Sequence, residues 1–286
     1  MSMRKILSVG LLVVSIGGIA VSAVNLIPYM REEAQSASLY AELAAIHAAG
    51  DVDSVAEAMP VVTSAPMEMM ADNESAEGID SENESAVEIE TTPPPVIHSG
   101  LLALHERNPD CVAWITIEGT VIDYPVMYRP NQKNYYLHRD FNGKHVSAGA
   151  LFIAENCDPD DSDNVIIYGH HMNSGKMFAA LNKYKKQSFY EEYKRIVYET
   201  LHGSETYEVM FAFTTPVYTG HDFAYYAFSK ASSAEEYDAY ISACRDRALY
   251  DTGVTARYGD KLLTLSTCEY SQKNGRMVVV ARKINE

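Results

Sequence analysis

The chain has few cysteines, and none of them belongs to a recognisable pair. Only four occur in 286 residues, with no Cys-x-x-Cys and no Cys/His metal spacing: Cys111, Cys157, Cys244 and Cys268. A small secreted scaffold held together by disulfides would be denser in cysteine. Zinc sites place their ligands at short, regular spacings that are absent here. We therefore expect no metal and no other cofactor.

Several enzyme motifs are also missing. The sequence contains no Gly-x-Ser-x-Gly, no Walker loop and no His-Glu-x-x-His, and no acidic pair is spaced like a glycosidase dyad. No basic stripe stands out either, which argues against a nucleic-acid partner. Nucleophilic catalysis by a thiol is the sharpest enzymatic hypothesis that remains.

The negative charge is concentrated in one segment. The formal net charge is −16, but residues 51–95 hold 12 Asp/Glu and no Lys/Arg, whereas residues 96–286 hold 24 acids and 20 bases. Segment 51–96 is poor in large aliphatics and ends in Pro93-Pro94-Pro95. Such a composition buries too little apolar surface to offset the entropy of ordering. We predict a disordered acidic and proline-rich linker at 51–96.

The N-terminus carries a long apolar run. Arg4 and Lys5 precede an uncharged stretch from Ile6 to Ile27. As a helix it would span about 33 Å, enough for a bilayer core, and the basic flank predicts a cytoplasmic segment 1–5 with an exported remainder. A cleavable signal peptide is the rival interpretation. We favour an uncleaved single-pass anchor at 6–27, followed at 28–50 by a helical juxtamembrane stalk with Leu39, Leu43 and Ile46 on one face.

The region 97–286 is predicted to be one mainly β domain. Short apolar runs separated by Gly, Asn-Gly and Asp-rich turns indicate a mostly antiparallel sheet or barrel. Helices are predicted after Ser99, at about Met177–Lys183, and at Ser233–Leu249, where Ser233 and Glu236 form a capping box. The last helix lies between two late strands. The strand-like runs are CVAWITI, TVIDYPVMY, GALFIA, NVIIYGH, RIVYET, SETYEVMFAFTTPVY, LLTLSTC and RMVVVARK.

Cys268 is the cysteine with a reactive context. A cysteine that ends an apolar strand is usually structural, but the residues after Thr264-Leu265 turn polar at once: Ser266, Thr267, Glu269, Tyr270. A strand end that opens to solvent is where a reactive thiol must lie. The other three cysteines lack this context and are predicted to be structural.

Two further residues could assist the thiol. His170 follows the apolar run NVIIYG, where a histidine can face a cleft, although His171 beside it leaves the choice of histidine open. Arg276 follows Asn274-Gly275, a hairpin turn signal. If the hairpin returns Arg276 beside Cys268, its guanidinium can support a thiolate or an oxyanion.

Together these residues resemble the sortase family, the Gram-positive cysteine transpeptidases with an eight-stranded β-barrel. The resemblance rests on YGH (168–170), TLSTC (264–268) and Arg276, and it extends over 108–128, 134–144, 149–153 and 164–181. These stretches look like class B sortases, whose helix between the sixth and seventh strands is similar to the one predicted near 233–249. The chain departs from the family pattern in its eight-residue interval from Cys268 to Arg276 and in its acidic spacer.

The resemblance implies a role for each matching residue. Cys268 corresponds to the family nucleophile, His170 to the catalytic histidine and Arg276 to the catalytic arginine; the family's Gly-His pattern selects His170 over His171. Four more positions match residues that line the class B sorting-signal groove: Tyr168, Ser266, Glu269 and Leu137.

The implied activity is cleavage of an NPxT-like C-terminal sorting signal of surface proteins through a thioacyl enzyme. The Thr carbonyl would pass to an amine, either of the peptidoglycan cross-bridge or of a pilin lysine. The implied location is the cell membrane of a Gram-positive bacterium, with the catalytic domain outside. Two alternatives stay open: a membrane-anchored cysteine protease, with water as acceptor, and a non-catalytic surface barrel in which Cys268 is core.

Overall fold

Eight strands close into a barrel. A computed structural model of the chain describes residues 26–50, 98–217, 220 and 223–284, and the strand order around the barrel is β1-β2-β3-β4-β7-β8-β6-β5. This confirms the predicted eight-stranded barrel. The strands are β1 (Cys111–Thr116), β2 (Asp123–Met127), β3 (Leu151–Ile153), β4 (Asn164–Tyr168), β5 (Arg195–Thr200), β6 (Gly203–Pro216), β7 (Leu262–Glu269) and β8 (Gly275–Ile284).

Most of the neighbouring strands are antiparallel, as the turn signals predicted. The exceptions are β2 with β3 and β4 with β7, which pair in parallel. Parallel neighbours need a long crossover rather than a hairpin, and the chain between β4 and β7 supplies one. The β4–β7 pairing runs from Asn164 opposite Leu262 to Tyr168 opposite Ser266. It brings the ends of two distant strands together at one end of the barrel.

The main core fills the barrel and continues on its outer face, where Leu43, Leu101 and Leu104 pack. Ala113, Trp114 and Ile115 of β1 are fully buried, as are Leu263 and Leu265 of β7. A second cluster packs between the barrel and a helix α4 (Ala234–Arg245), with Phe213, Tyr237 and Ile241 among its members. Buried side chains of this size contribute about 1.5–3 kcal/mol each. The strand ends that form the site are therefore attached to a rigid frame.

The helix α2 (Ser99–Arg107) begins one residue earlier than its predicted cap implies. Ser99 was expected to cap it, but the His98 imidazole accepts the hydrogen bond from the Leu101 amide instead. The Ser99 hydroxyl donates to the carbonyl of Gly50 at 3.0 Å. Ser99 thus donates to the last carbonyl of the helix that ends at Gly50. The local sequence could not show this contact between distant segments.

The other helices confirm the sequence predictions in part. Ser233 caps α4 by accepting from the Glu236 amide, but the Glu236 carboxylate reaches back to Ser232 rather than completing the box on Ser233. The helix predicted near Met177–Lys183 is a 3-10 helix at Phe178–Lys185. A 3-10 turn at Tyr135–His138 and a helix α3 (Gln187–Glu192) were not predicted.

Residues 26–50 form a helix, α1, that packs on the barrel. Its predicted apolar face is used: Leu43 is fully buried in the main core, with Leu39 and Ile46 packed against it. Gly50 and Gly100 let α1 and α2 approach closely, because a Cβ on Gly100 would lie 2.2 Å from the His47 carbonyl oxygen. The segment assigned to a stalk thus adds its C-terminal half to the core.

Other predicted segments lie outside the described residues. These are the cytoplasmic residues 1–5, nearly all of the anchor at 6–27, and the linker at 51–96. Among the residues that the structure describes, no helix is both long and apolar enough to span a bilayer.

Candidate functional site

Cys268 and Arg276 lie directly opposite each other across a hairpin. The register of β7 and β8 pairs Cys268 with Arg276 and Glu269 with Gly275. Directly opposed residues in an antiparallel pair have Cβ atoms about 4.5–5.5 Å apart. Asn274 supplies the left-handed turn (φ 55°) that returns the chain. The turn that ends at Asn274-Gly275 therefore returns Arg276 to the position opposite Cys268, as the sequence predicted.

His170 reaches the same end of the barrel from β4. The Gly169 amide donates to the Ser266 carbonyl at 3.2 Å, and the Thr267 hydroxyl donates to the Gly169 carbonyl at 2.7 Å. Gly169 must be glycine, because a Cβ there would lie 2.3 Å from a Leu151 methyl. These contacts fix the chain just before His170 against the residues just before Cys268.

The His170 ring is held by a backbone carbonyl. Its Nε2 lies 2.7 Å from the Leu137 oxygen, and because a carbonyl only accepts, Nε2 carries the proton. Nδ1 is then the ring nitrogen left without this proton. His138 stacks on the ring at 5.3 Å. Burial lowers the pKa of His170 from its usual value, the bond to Leu137 opposes that shift, and His138 adds to it.

A groove of about 500 Å³ joins these groups. Six of the seven residues predicted for the site line it: Leu137, Tyr168, His170, Ser266, Cys268 and Arg276. Cys268 is the one cysteine that is not fully buried. A separate cavity of about 290 Å³ between α1 and the barrel contains none of the predicted site residues.

Glu269 is the predicted residue that does not line the groove. Its carboxylate is buried, 4% exposed, and accepts from Lys185 at 2.5 Å and from the Ser271 amide and hydroxyl at 3.0 and 2.6 Å. Burial alone would raise the pKa of Glu269, but Lys185 and Ser271 lower it overall. The carboxylate holds the turn of the hairpin, so its effect on the groove is indirect.

Sequence reasoning missed the wall supplied by the connection between β6 and β7. Tyr225 and Tyr226 line the groove with Val217. The Tyr225 hydroxyl lies 2.7 Å from the Ser266 hydroxyl, and Tyr225 is only 1% exposed. The Tyr-Tyr pair after His221-Asp222 was the available signal. No spacing in the sequence shows that it meets Ser266, 41 positions away.

The remaining cysteines are structural, as predicted. Cys111, Cys157 and Cys244 are buried and free. Burial raises the pKa of the Cys111 and Cys244 thiols to about 12 and that of Cys157 to about 11. Such thiols carry almost no thiolate at neutral pH. Cys268 is therefore the candidate nucleophile among the four cysteines.

One side-chain cluster, away from the groove, has a metal-ligand composition. The donor atoms of His47, His98 and Glu199 lie within 4.8 Å of one another. However, the two imidazoles stack nearly parallel, 4.2 Å apart with an interplanar angle of 11°, and imidazole lone pairs lie in the ring plane. One ion cannot lie in both planes. The His47 Nε2 instead donates to Glu199 at 2.6 Å and ties α1 to β5.

A thiol, an imidazole and a guanidinium at one end of a groove define a class of protein, the thiol-dependent acyl-transfer enzymes. The comparisons with known proteins agree. The family model described as Sortase domain matches residues 115–284, and the chain belongs to the sortase family, whose members are cysteine transpeptidases.

The relatives are class B sortases. The chain is 32% identical to sortase B of Staphylococcus aureus over 64% of this chain and 73% of the relative. It is 33% identical to sortase B of Listeria monocytogenes over 66% of this chain and 76% of the relative. The crystal structure of sortase B from B. anthracis in complex with AAEK1 matches with a TM-score of 0.66 and 26% identity, over 90% of this chain and 100% of that one.

Proposed function

We propose that this chain cleaves an NPxT-like sorting signal of surface proteins and transfers the Thr carbonyl to an amine of the peptidoglycan cross-bridge. The observation that carries the proposal is the groove in which Cys268, Arg276 and His170 meet. The sorting signal would lie along the wall formed by Leu137, Tyr168 and Ser266.

The first half-reaction forms a thioacyl enzyme. His170 Nδ1 takes the proton of the Cys268 thiol, the thiolate attacks the Thr carbonyl, and Arg276, directly across the hairpin, stabilises the developing oxyanion. As the C–N bond breaks, His170 gives a proton from Nδ1 to the leaving amine. The bond of Nε2 to the Leu137 carbonyl keeps the ring oriented for this transfer.

The second half-reaction returns the enzyme. An incoming amine attacks the thioester carbonyl, Arg276 again stabilises the oxyanion, and His170 takes the amine proton. The C–S bond breaks, a new amide is formed, and the released Cys268 thiolate takes the proton from His170, which restores the starting enzyme. Covalent catalysis divides one difficult acyl transfer into two easier ones.

The location is part of the proposal. We propose a single-pass membrane protein with segment 6–27 in the bilayer, segment 1–5 in the cytoplasm and the barrel outside. The apolar run and its basic flank support this arrangement. It would place the groove where membrane-tethered surface proteins arrive.

The test is product analysis by mass spectrometry. An NPxT-like peptide is incubated with the protein and with Cys268→Ala, each without an acceptor, with triglycine, and with a pilin lysine peptide. The proposal predicts a Thr–glycine amide with the wild type and no cleavage with Cys268→Ala. Cleavage by water alone, with no transfer at saturating amine, would identify a protease, and transfer only to a pilin lysine peptide would identify a pilin polymerase. Cleavage of the peptide by Cys268→Ala at the wild-type rate would contradict the proposal.

A further inference from the structure

The backbone carbonyl of Cys268 is held by two side chains that do not line the groove. The Asn182 side-chain nitrogen and the His171 Nδ1 each lie 3.2 Å from this carbonyl oxygen. The two side chains also contact each other, with 2.8 Å between the same two nitrogens. The backbone of Cys268 is therefore held on the side away from the groove, while its side chain lines the groove.

The carbonyl needs these partners because β4 ends before it. The Ser266 carbonyl points toward β4 and accepts from Gly169. Strand directions repeat every two residues, so the Cys268 carbonyl points to the same side. The β4–β7 pairing has stopped at Tyr168 opposite Ser266. A strand carbonyl without a partner beside the nucleophile would be costly, and Asn182 and His171 replace the missing strand.

The chemistry of the three groups fixes the protons. A carbonyl oxygen only accepts, so the Asn182 amide nitrogen faces Cys268 and donates to it. The second amide hydrogen points to His171 Nδ1, which accepts when the imidazole proton is on Nε2. If Asn182 is removed, His171 can shift its proton to Nδ1 and donate to the carbonyl itself. Either residue alone can thus satisfy Cys268.

Asn182 is presented by a well-anchored element. It lies in the 3-10 helix Phe178–Lys185, in which both Phe178 and Leu181 are fully buried. His171 is steadied by a ring contact with Tyr270 at 5.3 Å. An amide donor on such a support, backed by the imidazole beside it, can hold the Cys268 backbone to a fraction of an ångström.

We infer that Asn182 and His171 are redundant positioning residues that fix the Cys268 backbone, and thereby aim its thiol at the substrate carbonyl between His170 and Arg276. This inference rests on the proposed function, because it assumes that Cys268 is the nucleophile. It also gives His171, the second histidine of the His-His pair, a separate task from His170.

Redundancy predicts a specific kinetic pattern. In Asn182→Ala and in His171→Ala one donor remains, so kcat should fall by no more than about threefold. In the double variant the carbonyl has no donor, and a displaced thiol can lower the rate by about 100-fold. The loss in the double variant should therefore far exceed the product of the single losses. KM for the peptide should change less than twofold, because the groove lining is untouched.

Two controls separate positioning from general damage. In the Asn182→Ala background, His171→Gln restores an amide donor and should recover most of the kcat that His171→Ala loses. Lys183→Ala, an exposed neighbour on the same 3-10 helix, should leave kcat unchanged. Thermal unfolding confirms that each variant is folded, and the rate of Cys268 alkylation by iodoacetamide reports on the thiol without any transpeptidation.

The outcomes are distinct. The inference is supported if kcat falls synergistically in the double variant and if iodoacetamide alkylates Cys268 there more slowly or reacts at another residue. Recovery of kcat by His171→Gln supports it as well. Single losses that simply multiply, or a folded double variant with normal kcat, overturn it while leaving the proposed function intact. Full activity of Cys268→Ala overturns the proposed function itself.

Discussion

In the proposed reaction three side chains with different chemistry act together, and the backbone holds two of them. The thiol of Cys268 would be the electron-pair donor, His170 would move the proton, and Arg276 would stabilise negative charge on oxygen. Leu137 orients His170 through its carbonyl, and the register of β7 and β8 places Arg276. Removing a side chain therefore removes one step rather than the fold.

Arg276→Lys should lose most of its activity. The Arg276 Nη1 donates to the Gly275 carbonyl at 2.9 Å, which leaves the rest of the planar fork for the oxyanion. A lysine ammonium has no fork to hold both groups at once. We expect kcat to fall by about 10²–10³-fold, measured with an NPxT-like peptide, with Lys273→Ala in the same turn as an unchanged control. A near-normal rate would rule out a bidentate role for Arg276.

His170 should destabilise the protein in mild acid. Because its pKa in the fold is lowered, chiefly by burial, the unfolded chain binds a proton more readily. The stability it contributes is present above the unfolded value of about 6.5 and is lost as the pH falls through the folded value. As the pH falls over that window, the unfolding free energy of the wild type should therefore decrease relative to that of His170→Gln. A pH-independent difference from pH 5 to 8 would contradict this assignment.

The hairpin of β7 and β8 is the element on which the site depends most. Its turn is held from inside by Glu269, and the ion pair with Lys185 links it to the 3-10 helix that carries Asn182. The β7–β8 hairpin is therefore supported by the pairing of its strands, by its turn and by the neighbouring 3-10 helix. Glu269 and Lys185 can therefore affect the positions of Cys268 and Arg276 without touching a substrate.

Lys185→Met should destabilise the hairpin. It removes the cation from the buried carboxylate of Glu269 while keeping most of the side-chain volume. Breaking a buried pair can cost 3–5 kcal/mol, but Lys185 is 39% exposed, so screening reduces the expected loss to about 1–2 kcal/mol. Chemical denaturation measures the change, with Lys186→Met as the matched control. Equal stability of the two variants would show that Ser271 alone satisfies Glu269.

Local patterns predicted the elements better than their arrangement. The apolar runs located all eight strands, Ser233 located the start of α4, and Asn274-Gly275 set the register that opposes Arg276 to Cys268. The parallel pairing of β4 with β7 depends on contacts between distant segments, and the residue pattern alone suggested only a sheet or barrel. The orientation of the Glu269 side chain likewise depends on a distant residue, Lys185, 84 positions away.

The described residues form a barrel with the helix α1, residues 26–50, docked on it. Besides Leu43, α1 contributes Tyr40, whose hydroxyl donates to the Gly149 carbonyl at 2.7 Å. Gly149 in turn packs against the Leu137 carbonyl, which a Cβ at Gly149 would approach to 2.4 Å. The sequence predicted the helix and its apolar face, but not the surface that the face covers.

Leu43→Ala should release α1 without unfolding the barrel. Truncation of a fully buried leucine costs about 2–5 kcal/mol, and the barrel closes without α1. Hydrogen exchange should show faster exchange of α1 amides with little change in β7 and β8. Glu42→Ala, which removes only an exposed ion pair with Arg107, should leave exchange in α1 nearly unchanged. Uniformly faster exchange in helix and barrel would contradict separate docking.

The central claim is that Cys268 forms a covalent acyl intermediate, and intact-protein mass spectrometry tests it most directly. The wild type is mixed with an NPxT-like peptide in the absence of an amine acceptor and quenched in acid. We expect a mass increase equal to the N-terminal acyl fragment ending at Thr, located on Cys268 by peptide mapping and removed by hydroxylamine. An acyl group on another residue, or turnover by Cys268→Ala at the wild-type rate, would contradict it.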